Sequence, residues 1–410
     1  MQLLTPRGTI QCRSCGDSLG ETLLSLGSQP LSNALVNNLS SAADPRFPLN
    51  FKICQSCGLG QIGEYVSPDE IFSEYTYFSS ASSSWLNHAR LFAKEATSKF
   101  SLSNGDLVME IASNDGYLLK YFKELGLNVL GIEPAANVAS YANSIGIPTE
   151  VKFFGEETAI ELLESGYRPK LVICNNVLAH VPDINDFMMG LAKLVEYGAV
   201  ISIEAPSMLT MLENNLFDTI YHEHFSYLSV HSVNLLASKC GLCLVNVDYL
   251  PTHGGSYRFW ISSRDTLIQE SVQQWIENER SRGLLTAELV NSFALKAKKV
   301  INDFAAWVKL NSDEKIVGFG AAAKATVLLN ASQIESHQII AVADNGKGKQ
   351  NKAIPGCRIP IMNPKDVFDL HPKKIVIFPW NIADELVSEI RLLDKNIEIW
   401  AAVPEMKYFN

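Results

Sequence analysis

Near the start of this chain, the stretches CRSCG (residues 12–16) and CQSCG (residues 54–58) repeat one pattern, C-x-S-C-G. Two such pairs supply the four thiolates of a closed tetrahedral zinc site, which ties everything between them to one point. The glycine after each pair suits a tight turn whose backbone N–H groups face the sulfurs. Four unligated thiols would not account for the repeated spacing. We therefore expect residues 1–70 to form a module stapled by Cys12, Cys15, Cys54 and Cys57. Four thiolates fill the coordination shell, so this metal is structural and leaves no position for a substrate. Cys240 and Cys243 lie where a helix ends at Gly241 and an apolar strand begins; they are read as buried structural thiols.

Several function classes drop out on composition. No run approaches the about 18 apolar residues of a membrane span, and MQLLTPRGTIQC lacks a basic-then-apolar leader pattern, so a cytoplasmic protein is expected. A disulfide framework is rare in that compartment. The net charge of −10 and the lack of a Lys/Arg-rich block argue against nucleic-acid or anionic-membrane binding. At 410 residues the chain exceeds one core of usual size.

From Leu107 the pattern becomes strand, glycine turn, helix. LVMEIASNDG runs into YLLKYFKELG, NVLGIEP into NVASYANSIG, and LVICNNVLAHV and GAVISIEAP follow as strands. Such alternation predicts a parallel, doubly wound sheet. Thr266 to about Leu310 reads as a helical connector. The alternation then restarts with KIVGFGAAAKATVLLN, IIAVADNG, KKIVIFPWN and IEIWAAVP. The expected fold class is α/β: a zinc-binding module (1–70), a central Rossmann-like domain (71–265), and the connector with a C-terminal Rossmann-like domain (266–410).

Open parallel sheets bind ligands beyond the carboxyl ends of their strands. In the central unit, EIASNDG is not G-x-G-x-x-G, and Glu133 ends the second strand, where a carboxylate accepts both hydroxyls of a ribose. S-adenosylmethionine fits this arrangement, with a generic α/β enzyme as the other reading. In the second unit, Gly318, Gly320 and Ala323 match G-x-G-x-x-A and Asp344 closes the next strand, an NAD signature. Lys324 adds a cation at the helix start, where backbone N–H groups already favour phosphate.

TIYHEHFSYLS (residues 219–229) admits three readings. A zinc-hydrolase helix needs H-E-x-x-H, and histidines two apart do not share a helical face. If the segment is extended, Tyr221, Glu223 and Phe225 face one way and His222 and His224 the other. It is then either an acid–base site or a structural loop.

The paired cysteines, EYTYFSSASSSW, EIASNDGYLL, GIEP, NNVLAHVPD, YHEHFSYLS, HGGSYRF and GFGAAAK together resemble the sugar C-methyltransferases. That family adds a branch methyl group, usually at C3, to nucleotide-activated 4-keto-deoxysugars. The resemblance runs from Cys12 to about Asn381. It implies a zinc domain, a central class I methyltransferase domain and a C-terminal domain that helps to hold the nucleotide sugar. Glu110, Ala112, Asn114, Gly116 and Glu133 fall on its adenosylmethionine positions, with alanine at 112 where the family usually has glycine. Phe153 and Phe154 either flank the adenine or pack as a buried pair. The family's catalytic base falls on His224, with Tyr221 and Glu223 beside the sugar. His180 either donates to the C4 oxygen or shares the base role. Asn176 matches another active-site position, and Tyr75 lies in a segment folded over the site. Ser256, Arg258, Gly320, Lys324 and Asp344 are candidate contacts for the nucleotide sugar, Arg258 being either a phosphate ligand or a structural salt bridge. His222 is read as structural; His88 and His231 carry no assigned role. An O- or N-methyltransferase, or a non-catalytic nucleotide-sugar-binding protein, would use the same fold without needing the YHEH cluster. A monomer or weak homo-oligomer is expected.

Overall fold

The computed structural model describes residues 11–37, 43–63 and 78–410. Tyr75 lies outside them.

The central sheet is built from β5 (Leu107–Ile111), β6 (Asn128–Ile132), β7 (Thr149–Glu150), β8 (Pro169–Asn175), β9 (Val200–Pro206), β11 (Leu242–Leu250) and β12 (Ser256–Ser263). Its order is β11-β12-β9-β8-β5-β6-β7, with β5 to β9 parallel and β12 inserted antiparallel between β9 and β11. The parallel strands are nearly continuous apolar runs because helices cover both faces. One consequence was not legible in the alternation: the hairpin of β11 and β12 completes this sheet, so the first unit's order reverses at its far edge.

The second sheet contains β13 (Ile316–Phe319), β14 (Val342–Ala343), β16 (Ile361–Met362), β17 (Lys374–Ile377), β18 (Glu398–Ala401) and β19 (Lys407–Phe409), in the order β16-β14-β13-β17-β18-β19. All pairs are parallel except β18 with β19. The expected connector resolves into two helices, Glu270–Ser281 and Ala287–Leu310. The longer one buries Phe293, Ala297, Val300, Phe304 and Val308 at helical spacing. These side chains join one core with residues of the N-terminal module, the segment 208–227 and the second sheet.

The N-terminal module touches both units. Its strands β1 (Leu24–Gln29), β3 (Phe47–Ile53) and β4 (Gly60–Gln61) form an antiparallel sheet whose last member, β10 (Ser226–Tyr227), comes from the YHEH segment. Its β2 (Val36–Asn37) pairs with β15 (Lys352–Ala353) of the C-terminal unit. Gly60 is required at the first junction: a Cβ there would stand 2.5 Å from Met208 Sδ and 2.9 Å from Tyr227 Cβ.

The four cysteine Sγ atoms lie within 4.8 Å of one another, with Cys12–Cys57 and Cys15–Cys54 both at 3.5 Å. Sulfurs about 2.3 Å from a tetrahedral zinc stand about 3.8 Å apart, so the set fits the ion. Gln61 Nε2 donates to Cys12 Sγ at 3.2 Å, so the residue that pairs with Ser226 also orients a ligand.

The metal cluster is therefore one short strand away from the histidines. We predict that Cys57→Ser, which opens the zinc shell, speeds amide exchange in residues 221–228 by about tenfold or more while β5 and β8 keep their protection. Hydrogen-exchange mass spectrometry checks this; unchanged exchange in 221–228 would mean the loop is held without the module.

Candidate functional site

The carboxyl ends of both parallel sheets open onto one cavity of about 1430 Å³. From the central sheet come Ala112, Asn114, Glu133 and Asn176; from the second come Gly320, Asp344 and Asn381. This is the crevice position that open α/β sheets use for ligands, here doubled by facing two sheets.

On the first side, Ala112 and Asn114 hold φ of 55° and 50°, a left-handed conformation that costs a non-glycine residue about 1 kcal/mol. The turn survives because its amides are captured: Ala112 N donates to Ile132 O at 2.7 Å and Asn114 N to Glu133 Oε2 at 2.8 Å. The other carboxylate oxygen, Glu133 Oε1, accepts from Ala135 N at 2.9 Å. Burial raises the Glu133 pKa, and these two N–H groups oppose it. Each oxygen keeps a further lone pair on the cavity side, which fits a ribose diol. Phe153 is exposed and Phe154 packs edge-on to Phe187 at 5.2 Å, and both line the cavity. Glu110 and Gly116 do not line it. Glu110 is buried beneath the turn next to the Tyr117 hydroxyl, with its pKa pushed far up by burial. Gly116 packs against Ile147, where a Cβ would come within 3.1 Å.

The YHEH segment is a turn, so the two-sided arrangement of an extended run does not hold. His224 N donates to Tyr221 O at 2.9 Å, an i to i+3 closure that puts residues 221 and 224 on one side. Their rings stand 4.0 Å apart, and Tyr221 Oη lies 2.8 Å from His224 Nε2. His224 Nδ1 lies 2.9 Å from Thr219 O. A carbonyl only accepts, so Nδ1 carries the proton and Nε2 receives the tyrosine O–H. His180 is fixed the same way, its Nδ1–H donating to Glu223 O at 2.6 Å, and the two imidazoles are 4.6 Å apart. Desolvation keeps both rings neutral: His180 is pulled down to about 4, and His224 is held well below the ordinary histidine value by burial, with His180, His253 and Lys324 adding to it.

Glu223 departs from its expected place beside the sugar. Its carboxylate is buried away from the cavity and accepts Asn33 N of the zinc module at 2.9 Å. The turn swings it to the opposite side from Tyr221. His222 is buried against Phe47, as a structural histidine would be.

Ser256 and Arg258 also stand away from the cavity. Ser256 Oγ donates to Thr252 O at 3.0 Å. Arg258 is directly across from Glu204 in the β12–β9 register, bonds its carboxylate at 2.6 Å and lies 4.0 Å from the Phe92 ring centre. Of the two readings of Arg258, the geometry supports the structural ion pair. Burial opposes ionisation of Glu204, but His88 and Arg258 outweigh it and hold the acid at about 2. His88, which sequence reasoning passed over, joins this pair at 2.9 Å, stacks on Trp85 at 5.0 Å and lines the cavity. Only its helical spacing from Trp85 hinted at this.

On the second side, Gly320 has φ of +87° and Lys324 opens the helix Ala323–Ala331. Lys324 Nζ donates to Asn381 Oδ1 at 2.7 Å and sits 3.8 Å from the Trp380 ring centre. Burial lowers its pKa to about 8, with Asp218 pulling the other way. Asp344 organises the loop: its oxygens accept Ala321 N at 2.8 Å, Gly346 N at 2.7 Å and Lys349 Nζ at 3.2 Å. That leaves this carboxylate less suited to the ribose of a dinucleotide than the NAD-like spacing implied.

Three family models match in chain order: "Putative zinc binding domain" over residues 12–72, "Methyltransferase domain" over 85–247 and "C-methyltransferase C-terminal domain" over 251–404. The C-methyltransferase NovU of Streptomyces niveus is 31% identical over 401 residues, covering 96% of each chain. A ubiquinone biosynthesis O-methyltransferase of Rhizobium etli is 29% identical over 100 residues, 23% of this chain and 39% of its own. Among solved structures, magnesium protoporphyrin IX methyltransferase from Synechocystis PCC 6803 aligns over 44% of this chain and 81% of its own, at 13% identity and a TM-score of 0.33, too low to bear on function. The full-length match and the three ordered domain models agree with the four-thiolate cluster and the ribose-ready carboxylate: the chain belongs to the sugar C-methyltransferase family, S-adenosylmethionine-dependent enzymes with a zinc-binding N-terminal domain.

Proposed function

We propose that this enzyme methylates C3 of a nucleoside-diphosphate 4-keto-6-deoxyhexose, for the synthesis of a branched-chain deoxysugar. The observation that carries the reading is the pair of neutral imidazoles, His224 and His180, 4.6 Å apart in a cavity shared by two nucleotide-type sheets. S-adenosylmethionine supplies an electrophilic methyl group; this chain supplies the means to make a carbon nucleophilic. A C–H bond beside a ketone is acidic enough for a histidine base, because its electron pair moves into a C3–C4 double bond and the charge moves to oxygen.

His224 takes the proton at Nε2, its one ring nitrogen with a lone pair. The Tyr221 hydroxyl donates to that lone pair at 2.8 Å, so the sugar either displaces the phenol or passes the proton through it. His180 Nε2 stands beside the same carbons. Lys324, in the first turn of the helix Ala323–Ala331 that lines the same cavity, suits the diphosphate. Ala112, Asn114 and Glu133 form the adenosylmethionine cradle, closed by Phe153 and Phe154. No role is needed for the zinc in this chemistry.

Two outcomes are expected. Given methyl-labelled S-adenosylmethionine, the purified enzyme should label a 4-keto-6-deoxy sugar nucleotide but not its 4-hydroxy counterpart. Label on the 4-hydroxy sugar, or on none of the thymidine, guanosine and cytidine diphosphate 4-keto sugars, would sink the reading. The second concerns pH. The base works in its neutral form, and its pKa lies below 6.5, so activity is lost only as pH falls through that lowered value. The acid limb of kcat/KM should therefore have its midpoint below pH 6.5, with a rate at pH 6.5 within about twofold of that at pH 7.5. A midpoint at or above 6.5 would assign the limb to another group.

A further inference from the structure

Removing the C3 proton places a full charge on the C4 oxygen, and His180, read above as one possible donor to it, has no N–H to spare: its Nδ1–H goes to Glu223 O and its Nε2 carries a lone pair. The turn between β11 and β12 supplies a candidate outside the YHEH segment. His253 lies there with φ of 54° and ψ of 24°, and Asn176, just past the end of β8, has φ of 55°. Two non-glycine residues are thus held in left-handed backbone on facing loops of one cavity. Such strain persists only where the surroundings enforce it, and it gathers at functional positions.

The enforcement is visible. Gly254 and Gly255 follow with φ of 87° and 128°, and a Cβ on either would collide, at 2.7 Å with Trp380 and at 2.4 Å with Tyr249 Oη respectively. Thr252 Oγ1 anchors the near end by donating to Glu204 Oε1 at 3.0 Å. At the other loop, Asn176 N donates to Glu204 O at 2.7 Å, so both loops hang on one residue of β9.

The side chains meet in the cavity. Asn176 Nδ2 donates to His253 Nε2 at 3.4 Å, which assigns the imidazole proton to Nδ1. The remaining amide hydrogen and the Nδ1–H have no acceptor among the described residues. The His253 ring is open to the cavity and is steadied by Trp85 at 5.2 Å. Burial holds its pKa down at about 4, so the ring donates as a neutral imidazole and does not trade its proton. It is also near enough to His224 to discourage charging of that ring.

We propose that His253, paired with Asn176, is a catalytic residue of the methyl transfer: its Nδ1–H and the Asn176 amide hydrogen are the donors to the C4 enolate oxygen. This rests on the enolate reading above. In the step, the C3–H pair becomes the C3–C4 double bond, the carbonyl π pair moves to O4, and the proton goes to His224. When C3 takes the methyl group, the carbonyl returns and the S–CH₃ bond pair stays with adenosylhomocysteine. The His253–Asn176 pair changes no bonds of its own; it stabilises O4 while it is charged.

The test uses the full-length protein with a 4-keto-6-deoxy sugar nucleotide in deuterated water, and three proteins: the parent, His253→Gly and His253→Asn. Glycine accepts the left-handed backbone freely, so His253→Gly removes the ring and the strain together. We expect it to lose about 100-fold in kcat for both C3 exchange and methyl transfer. The KM and adenosylmethionine affinity should stay within about threefold and the Tm should be equal or higher. Asparagine tolerates the same backbone and keeps an N–H donor, so His253→Asn should recover about tenfold of the loss. Exchange by His253→Gly within about threefold of the parent would overturn the proposal, as would a loss confined to KM or a lowered Tm, which marks a structural turn. A parent that neither exchanges nor methylates would overturn the enolate reading itself; a competent parent with a competent glycine variant overturns only the role of His253.

Discussion

One backbone ladder does more than any other contact to define this molecule: β4 of the zinc module hydrogen-bonds to β10, the two residues that follow the histidine turn. Ile62 N continues it to Phe225 O at 3.2 Å, and Asn33 N reaches Glu223 Oε1. The histidine segment is thus a strand of the module's sheet as well as a loop of the methyltransferase unit. On its other side the module pairs with the C-terminal unit and ties to it through Asp44, which accepts from Arg358 and from Gly356 N at 2.6 Å each. Two Rossmann-like units that each need a companion to enclose a ligand are held face to face by a third, and the histidines lie at the seam. A zinc staple suits this duty because a module this small cannot hold its strands rigidly by burial alone.

The electrostatics follow from that enclosure. His180, His224 and His253 are desolvated together; His180, His253 and Lys324 discourage charge on His224, and Lys324 discourages it on His253. A cavity of this kind favours neutral imidazoles and an anionic ligand, which is what the proposed chemistry needs. By contrast, the buried Glu204 is ionised and paired with Arg258 and His88. Its place in the middle of β9 makes it a frame for the loops carrying Asn176 and Thr252 and keeps it out of the chemistry.

Much of this was legible in the residues. The C-x-S-C-G repeat specified the metal cluster because ligand chemistry dictates spacing, and strand–helix alternation specified both parallel sheets because periodicity reports burial. Glu133 at a strand end and Lys324 at a helix start follow from the same geometry. What failed were orientations. Glu223 faces the zinc module because residues 221–224 close a turn, and a period of two does not hold across a turn. Arg258 is consumed by Glu204, a partner 54 residues away that only the β12–β9 register brings opposite. His88 had no assigned role because its significance comes from Glu204, which is not near it in sequence; His253 likewise gains its place only from Asn176 across the cavity.

The central claim is that the histidine turn exists to make a carbon nucleophile. It is tested most directly by following deuterium from solvent into C3 of a 4-keto-6-deoxy sugar nucleotide without methyl transfer, using adenosylhomocysteine to fill the cofactor site. Wild-type protein should wash deuterium into that position and His224→Ala should not, although both bind adenosylhomocysteine equally. Undiminished exchange by His224→Ala would contradict the assignment and move the base to His180.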